Sequence, residues 1–232
     1  MGKKLLLGTV AGLALGLGVS AAQAADIEPI AESPAWYVTL FGGVTWMEDF
    51  DTEYSYSSSG NYTAAVETDT GFIVGGAVGT HLTDDLRVEV EAAYSENDAD
   101  QFDFDDGGSY DIHGDIGVLT FMANLWYDMP LSEEFKPYIG GGAGIAIVDG
   151  KIAYEPDDGD DTIFDSSEVT FAFQVGGGLR WALTDRIALD VGYRLKGIDG
   201  PDFGGSDFSG SSKYHADWIW SHNVIGGVSF GF

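Results

Sequence analysis

The 232-residue chain contains no cysteine, which removes both a disulfide framework and a thiolate site. Positive charge is scarce as well. Ten lysines and arginines stand against 38 aspartates and glutamates, a formal net charge of −28. That balance argues against nucleic acid, or any anionic surface, held by bulk electrostatics. The four histidines, His81, His113, His215 and His222, lack the paired spacing that a metal site needs. No metal and no cofactor is expected. Beyond the first two dozen residues no apolar run is long enough to form a transmembrane helix. Strands of alternating polarity need no such run to cross a membrane.

At the N-terminus, Lys3 and Lys4 precede the apolar run Leu5–Val19, and Ala22-Gln23-Ala24 follows it. A charged start, an apolar centre and a small-x-small site predict a secretory signal over residues 1–24, removed after Ala24. The run is too short for an anchoring helix and is interrupted by Gly8, Gly12, Gly16 and Gly18. Residues 25–34, with Pro29 and Pro34, read as an unstructured periplasmic lead-in, and residues 35–232 as the folded domain. Over the whole chain 34 glycines accompany 13% aromatics, a mixture that suits a β-rich chain better than a disordered one.

The last stretch, Trp218 to Phe232, organises the rest. Trp218, Trp220, Val224, Val228, Phe230 and Phe232 share one parity, whereas Ser221, Asn223, Ser229 and Gly231 share the other. This is a period-two strand with an apolar, aromatic-tipped face and a small polar one. A transmembrane β-strand needs about 9–11 residues, aromatics at the water interfaces and a polar inner face. Seven further segments alternate in the same way: Trp36–Trp46, Gly71–His81, Leu86–Tyr94, Ile116–Tyr127, Pro137–Val148, Val169–Trp181 and Ile187–Lys196. Trp36 and Trp46 bound the first, ten residues apart. That is roughly 33 Å of strand, or about 25 Å of membrane at a tilt near 40°. Trp36, Trp46, Trp181, Trp218 and Trp220 are the expected interface aromatics.

Short links at 82–85, 129–136 and 182–186 alternate with long ones at about 47–70, 95–115, 149–168 and 197–217, so all long links leave from one side. Short periplasmic turns with long outer loops predict an all-β, eight-stranded antiparallel up-and-down transmembrane barrel with four acidic surface loops. The cleavable leader, the Trp36–Trp46 strand, Gly75-Gly76-Ala77-Val78-Gly79, Phe121-Met122-Ala123-Asn124, Pro137-Tyr138-Ile139-Gly140 and the terminal Phe232 carry a resemblance. Over essentially the whole mature chain, the sequence resembles the small outer-membrane β-barrel superfamily of proteobacteria, of the porin-family or surface-antigen type related in shape to OmpA and opacity proteins. The resemblance implies a monomeric integral protein of the bacterial outer membrane, exported through the periplasm and surrounded by outer-membrane lipids and lipopolysaccharide. It also implies that Phe232 is the signal read by the insertion machinery. Members act as envelope structural proteins, surface antigens or adhesins, and sometimes as pores. No peptidoglycan-binding domain follows Phe232, so that part of an OmpA-like role is not expected.

Four groups of residues invite chemistry. The run 140–146 (GGGAGIA) lacks the spacing of a dinucleotide loop and is read as strand glycine relieving crowding inside a narrow barrel. The clusters Asp103, Asp105, Asp106 and Asp157, Asp158, Asp160, Asp161 do not match an EF-hand. They are read as a solvated acidic surface, with weak divalent-cation binding as the alternative. Ser221-His222 loosely resembles the machinery of lipid A deacylases of barrel type, but adjacent residues point to opposite faces and no carboxylate follows on that strand. The inward parity carries Arg87, Glu89, Glu91, Arg180, Asp190, Arg194 and Lys196. An eight-stranded barrel is only wide enough to be filled by its side chains, so these charges are expected to pair in a plugged lumen. The function expected is envelope integrity or surface interaction without enzymatic activity. A narrow porin is the first alternative and a lipid A-modifying barrel the second.

Overall fold

The computed structural model describes residues 36–48, 50–56, 60–104, 109–132, 134–154, 161–200, 202–207, 210–216 and 218–232. The predicted leader and lead-in, residues 1–34, lie outside the described residues.

Twelve antiparallel strands form one sheet: β1 (Trp36–Met47), β2 (Phe50–Tyr56), β3 (Gly60–Thr68), β4 (Gly71–Thr83), β5 (Leu86–Phe104), β6 (Ser109–Asp128), β7 (Phe135–Tyr154), β8 (Asp161–Ala182), β9 (Ile187–Ile198), β10 (Asp202–Asp207), β11 (Gly210–Ala216) and β12 (Ile219–Gly231). Eight of them, β1, β4, β5, β6, β7, β8, β9 and β12, close on themselves because β1 pairs with both β4 and β12 and β5 pairs with β6. Following cross-strand partners from Trp36 leads through Thr80, Val88, Leu125, Gly141, Val175, Leu195 and His222 and re-enters β1 at Trp46, ten residues from the start. Eight strands with a ten-residue stagger tilt by roughly 40° and enclose a wall about 16 Å across, backbone to backbone.

The remaining four strands lie in the segments read as long loops. β2 and β3 form a hairpin whose second arm joins the far end of β5, β10 and β11 form another, and β11 joins β2. Likewise β5 to β8 run on as strands of 19 to 22 residues. The wall thus continues past the apolar band, where sequence alternation had indicated loops. Hydrophobic alternation reports lipid on one face, whereas pairing continues wherever backbone groups find partners. At the opposite end the links are short and capped by hydroxyls. Thr184 Oγ1 accepts from the Arg186 and Ile187 amides (3.2 and 3.0 Å), and Ser132 Oγ accepts from the Phe135 amide (2.9 Å). Leu82-Thr83-Asp84 and Leu183-Thr184-Asp185 are related turns for this reason: in the first, Asp85 N–H reaches Thr83 Oγ1 (3.4 Å).

Burial follows the two-residue period. On β5, Arg87, Glu89, Glu91 and Ala93 are buried while Val90 and Tyr94 are exposed. The outward face presents Leu40, Val74, Leu125, Ile139, Val175 and Val191 as an apolar band. Trp36 and Trp181 lie at its turn end, with Trp46 and Trp218 at the other, all exposed; Trp220, beside Trp218, is half-buried. Residues 140–146 are the middle of β7 and no helix follows them, so they make no phosphate loop. Gly140 is needed there because a Cβ would strike the Leu125 carbonyl at 2.1 Å and the Trp126 ring at 2.7 Å.

Candidate functional site

Among the described residues, titratable side chains of both signs gather in the lumen. The stagger decides which charges meet. Arg180 on β8 and Asp190 on β9 are direct partners across the 183–186 turn, and the guanidinium reaches both carboxylate oxygens, Nε at 2.8 Å and Nη2 at 3.3 Å. Ser229 Oγ donates to Asp190 (2.9 Å), accepts from Arg180 (3.0 Å) and touches Thr39 Oγ1 (2.8 Å). One polar chain thereby ties β8, β9, β12 and β1.

A second cluster surrounds Arg87. It grips Asp128 with two hydrogen bonds, 2.6 and 2.9 Å, and turns its third nitrogen to Glu89 (2.8 Å) and Tyr37 Oη (3.1 Å). Glu89 also accepts from the Tyr37 hydroxyl (2.7 Å) and the Trp126 indole (2.9 Å). All five side chains are buried. A third cluster crosses the barrel: Arg194 on β9 pairs with Glu91 on β5, which also accepts from Asn124 (3.0 Å). Gln174 adds a bond to Asn124 (2.7 Å). The Arg194 guanidinium lies 5.0 Å from the Phe41 ring centroid and 5.2 Å from that of Trp126, so its faces rest on aromatic quadrupoles. Lys196 is buried and donates to Thr120 Oγ1 (3.2 Å); among the described residues no carboxylate pairs with it.

Sequence reasoning named four cations and three acids for this lumen. The structure adds the fourth acid, Asp128, and the charges balance. Asp128 sits on the inward parity of β6, so the signal was present, but it ends the strand beside a turn. Tyr37 was read on the inward parity with Thr39 and Thr45, but its bonds to Arg87 and Glu89 were not foreseen; Trp126 and Tyr138 were missed, as large rings on a parity expected to be small and polar. Three arginines, Glu89, Asp190, Phe41, Trp126 and Tyr138 leave a cavity of about 20 Å³ between them, room for about one water molecule.

Toward the long-strand end the interior turns apolar. Met47, Ile116, Val118, Met122, Val148, Ile198 and Ile219, with Ala146 and Ala172, form a buried layer directly beyond Lys196. Sequence reading did not anticipate this septum, because it assigned the inward parity wholesale to polar residues.

Ser221 points into the lumen, buried, within hydrogen-bonding distance of the Asn223 amide (3.2 Å). His222 faces outward, where it contacts Tyr193 and Glu48 instead. The carboxylate beside His222 therefore comes from β1's end, and the two halves of a Ser–His pair are on opposite sides of the wall. The acidic residues Asp105, Asp106, Asp157, Asp158 and Asp160 lie outside the described residues, as do the side chains of Asp103 and Asp161.

Comparison with known proteins agrees with this geometry. The chain is 25% identical over 213 residues to the outer membrane protein PagN of Salmonella typhimurium, covering 84% of this chain and 89% of PagN. Among solved structures, it is similar to the outer membrane protein OprG of Pseudomonas aeruginosa, with a TM-score of 0.53 and 16% identity over 86% of this chain and 98% of that one. It is also similar to the outer membrane protease OmpT of Escherichia coli, with a TM-score of 0.54 and 10% identity over 88% and 99%. Likeness at those identities concerns the fold alone. Residues 11–232 match the outer membrane protein β-barrel domain family, and the chain belongs to that family, an integral protein of the Gram-negative outer membrane.

Proposed function

We propose that this protein is a sealed structural and surface barrel that supports envelope integrity or surface interaction through its acidic outer wall, and that it is neither an enzyme nor a pore. The supporting observation is the lumen's composition along its axis. Ion-paired layers around Arg87, Arg180 and Arg194 are followed by the apolar septum, with space for about one water molecule in the cavity between the charges. A permeating ion would have to break paired charges and then cross a dry constriction, and both steps oppose conduction. Burial of Ser221 speaks against a lipid A-modifying Ser–His pair. In this reading the signal is removed after Ala24, the short turns are periplasmic and the barrel works as a monomer among outer-membrane lipids and lipopolysaccharide. Nucleic acid is no partner, and the loop carboxylates form a solvated acidic surface, with weak divalent-cation binding as the alternative.

Planar-bilayer recording of the refolded mature protein tests the reading. We expect no steady conductance. A stable, cation-selective current that changes with Asp190→Ala would replace the sealed barrel with the narrow porin.

A further inference from the structure

We propose that the outward rim around Trp46, Glu48, Tyr193 and His222 is a binding site for the sugar headgroup of a membrane glycolipid. Trp46, Tyr193 and His222 come from β1, β9 and β12, Glu48 directly follows β1, and the four meet on the lipid-facing side at the long-strand end of the apolar band. Trp46 and His222 are cross-strand partners with rings stacked at 5.5 Å and 6°. The Glu48 amide extends the same register by donating to the Trp220 carbonyl (2.9 Å), which fixes the backbone of Glu48 beside β12. His222 Nε2 lies 2.9 Å from Glu48 Oε1, and Nδ1 lies 2.6 Å from Tyr193 Oη.

The polarity of this chain follows from its members. A carboxylate only accepts, so Nε2 must donate to Glu48; in the neutral ring Nδ1 is then the acceptor and the Tyr193 hydroxyl its donor. Each end is left with spare acceptor capacity, the second carboxylate oxygen of Glu48 and the lone pairs of Tyr193. The Glu48 side chain is 57% exposed, so its free oxygen is open to a ligand. None of the side chains that build this patch, Trp46, Glu48, Tyr193, Trp218, Trp220 and His222, is a lysine or arginine.

A rim of acceptors without cations repels a phosphate and suits a donor. The two acceptors are separated by the width of the imidazole ring. One ammonium group reaches a single acceptor, whereas the hydroxyl edge of a pyranose presents several donors in a row. The C–H face of such a ring matches the exposed indoles of Trp46 and Trp218. Trp218 and Trp220 lie 6.3 Å apart, and Phe173 packs edge-on against both at 5.6 Å, extending the shelf. The patch is continuous with the band that faces lipid, so its occupant is a lipid whose headgroup lies at the interface. The outer-leaflet location rests on the orientation proposed above; the binding measurement below is independent of orientation, so the two can fail separately.

The test is native mass spectrometry of the folded chain in detergent, titrated with glucosyl-diacylglycerol, phosphatidylethanolamine and phosphatidylglycerol of identical acyl chains. We expect the glucosyl lipid to be retained about tenfold better than either phospholipid, as one or two added hydrogen bonds would give. Glu48→Gln and Trp46→Leu should each bring retention close to parity, and Trp181→Leu at the opposite rim should leave it unchanged. Heat-modifiable gel migration checks that each variant is folded, and Glu48→Gln alone decides if Trp46→Leu is not. Equal retention of all three lipids by the wild type, preference for either phospholipid, or wild-type selectivity in folded Glu48→Gln would overturn the site.

Discussion

Arg180 and Asp190 face each other across the 183–186 turn, and Ser229 and Thr39 extend their contact to the seam where β12 meets β1. Each of the two charged side chains keeps only about a tenth of its surface accessible. Removing one leaves the other desolvated and unpaired, at a cost of roughly 3 kcal/mol. Asp190→Ala should therefore lower the unfolding temperature of the barrel in detergent, and the Arg180→Ala, Asp190→Ala double variant should recover part of the loss. A double variant no better than the single one would show that the pair acts only by filling space.

Arg87 and Asp128 make the more deeply buried pair, each 2% exposed at the side chain. Arg87 has spent its other nitrogen on Glu89 and Tyr37, so no rearrangement within the lumen can replace Asp128. Asp128→Ala should cost roughly 3–5 kcal/mol and lower the thermal midpoint further than Asp190→Ala does. Thermal unfolding followed by circular dichroism ranks the two, and the reverse order would contradict the burial argument.

Crowding makes a prediction that charge does not. A Cβ at Gly79 would lie 2.5 Å from the Tyr37 ring and 2.7 Å from Glu89, whereas at outward-facing Gly226 its nearest contact is 4.0 Å away. Gly79→Ala should destabilise the barrel by about 1–3 kcal/mol, with Tyr37 forced off its position beside Arg87. Gly226→Ala should be close to neutral. Comparable losses for the two, measured side by side in the same detergent, would mean that backbone effects dominate.

How much of this was legible in the sequence depends on the range of the signal. Parity is local, so the inward placement of Arg87, Glu89, Glu91, Arg180, Asp190, Arg194 and Lys196 could be read from alternation alone. The Arg180 partner was legible too, because a short turn centres the pairing of β8 and β9. Arg87 and Asp128 are not opposite residues; Arg87 pairs in register with Trp126, two positions away. Arg194 and Glu91 lie on strands that are not neighbours and meet only because the ring is closed and narrow. That contact needs the ten-residue stagger, which no single segment encodes. The septum was hidden for another reason. Ile116, Ile198 and Ile219 alternate with residues that face headgroups rather than acyl chains, so neither face looks distinctly apolar there. In the Tyr193–His222–Glu48 chain, β9 and β12 are successive barrel strands, but the contact with Glu48, just after β1, appears only on closure.

Orientation is open to a clean chemical test because the native chain has no cysteine. Single substitutions Asp158→Cys and Asp84→Cys place one thiol in a long link and one in a short turn. On intact cells a membrane-impermeant maleimide should label the first and leave the second untouched until the outer membrane is permeabilised. Labelling at position 84 in unbroken cells would invert the barrel, and with it the leaflet assigned to the rim of Trp46 and His222.

The final residue separates folding from delivery. Phe232 donates its amide to the Trp36 carbonyl (2.9 Å), while its ring is 69% exposed on the outside of the wall. Phe232→Ala keeps that amide and removes only the exposed ring, which packs little; its effect on the refolded barrel should stay within about 0.5 kcal/mol. Deleting Phe232 loses one bond at the seam, worth roughly 0.5–1.5 kcal/mol. If the ring is what the insertion machinery reads, both variants should reach the periplasm normally and both should be depleted from the outer membrane to a similar extent. If the seam bond is what matters, only the deletion should be depleted, and its refolded form should melt at a lower temperature. Quantifying each variant in outer-membrane and periplasmic fractions, beside its thermal midpoint after refolding, distinguishes the two. Unchanged outer-membrane levels of both would remove Phe232 from assembly altogether.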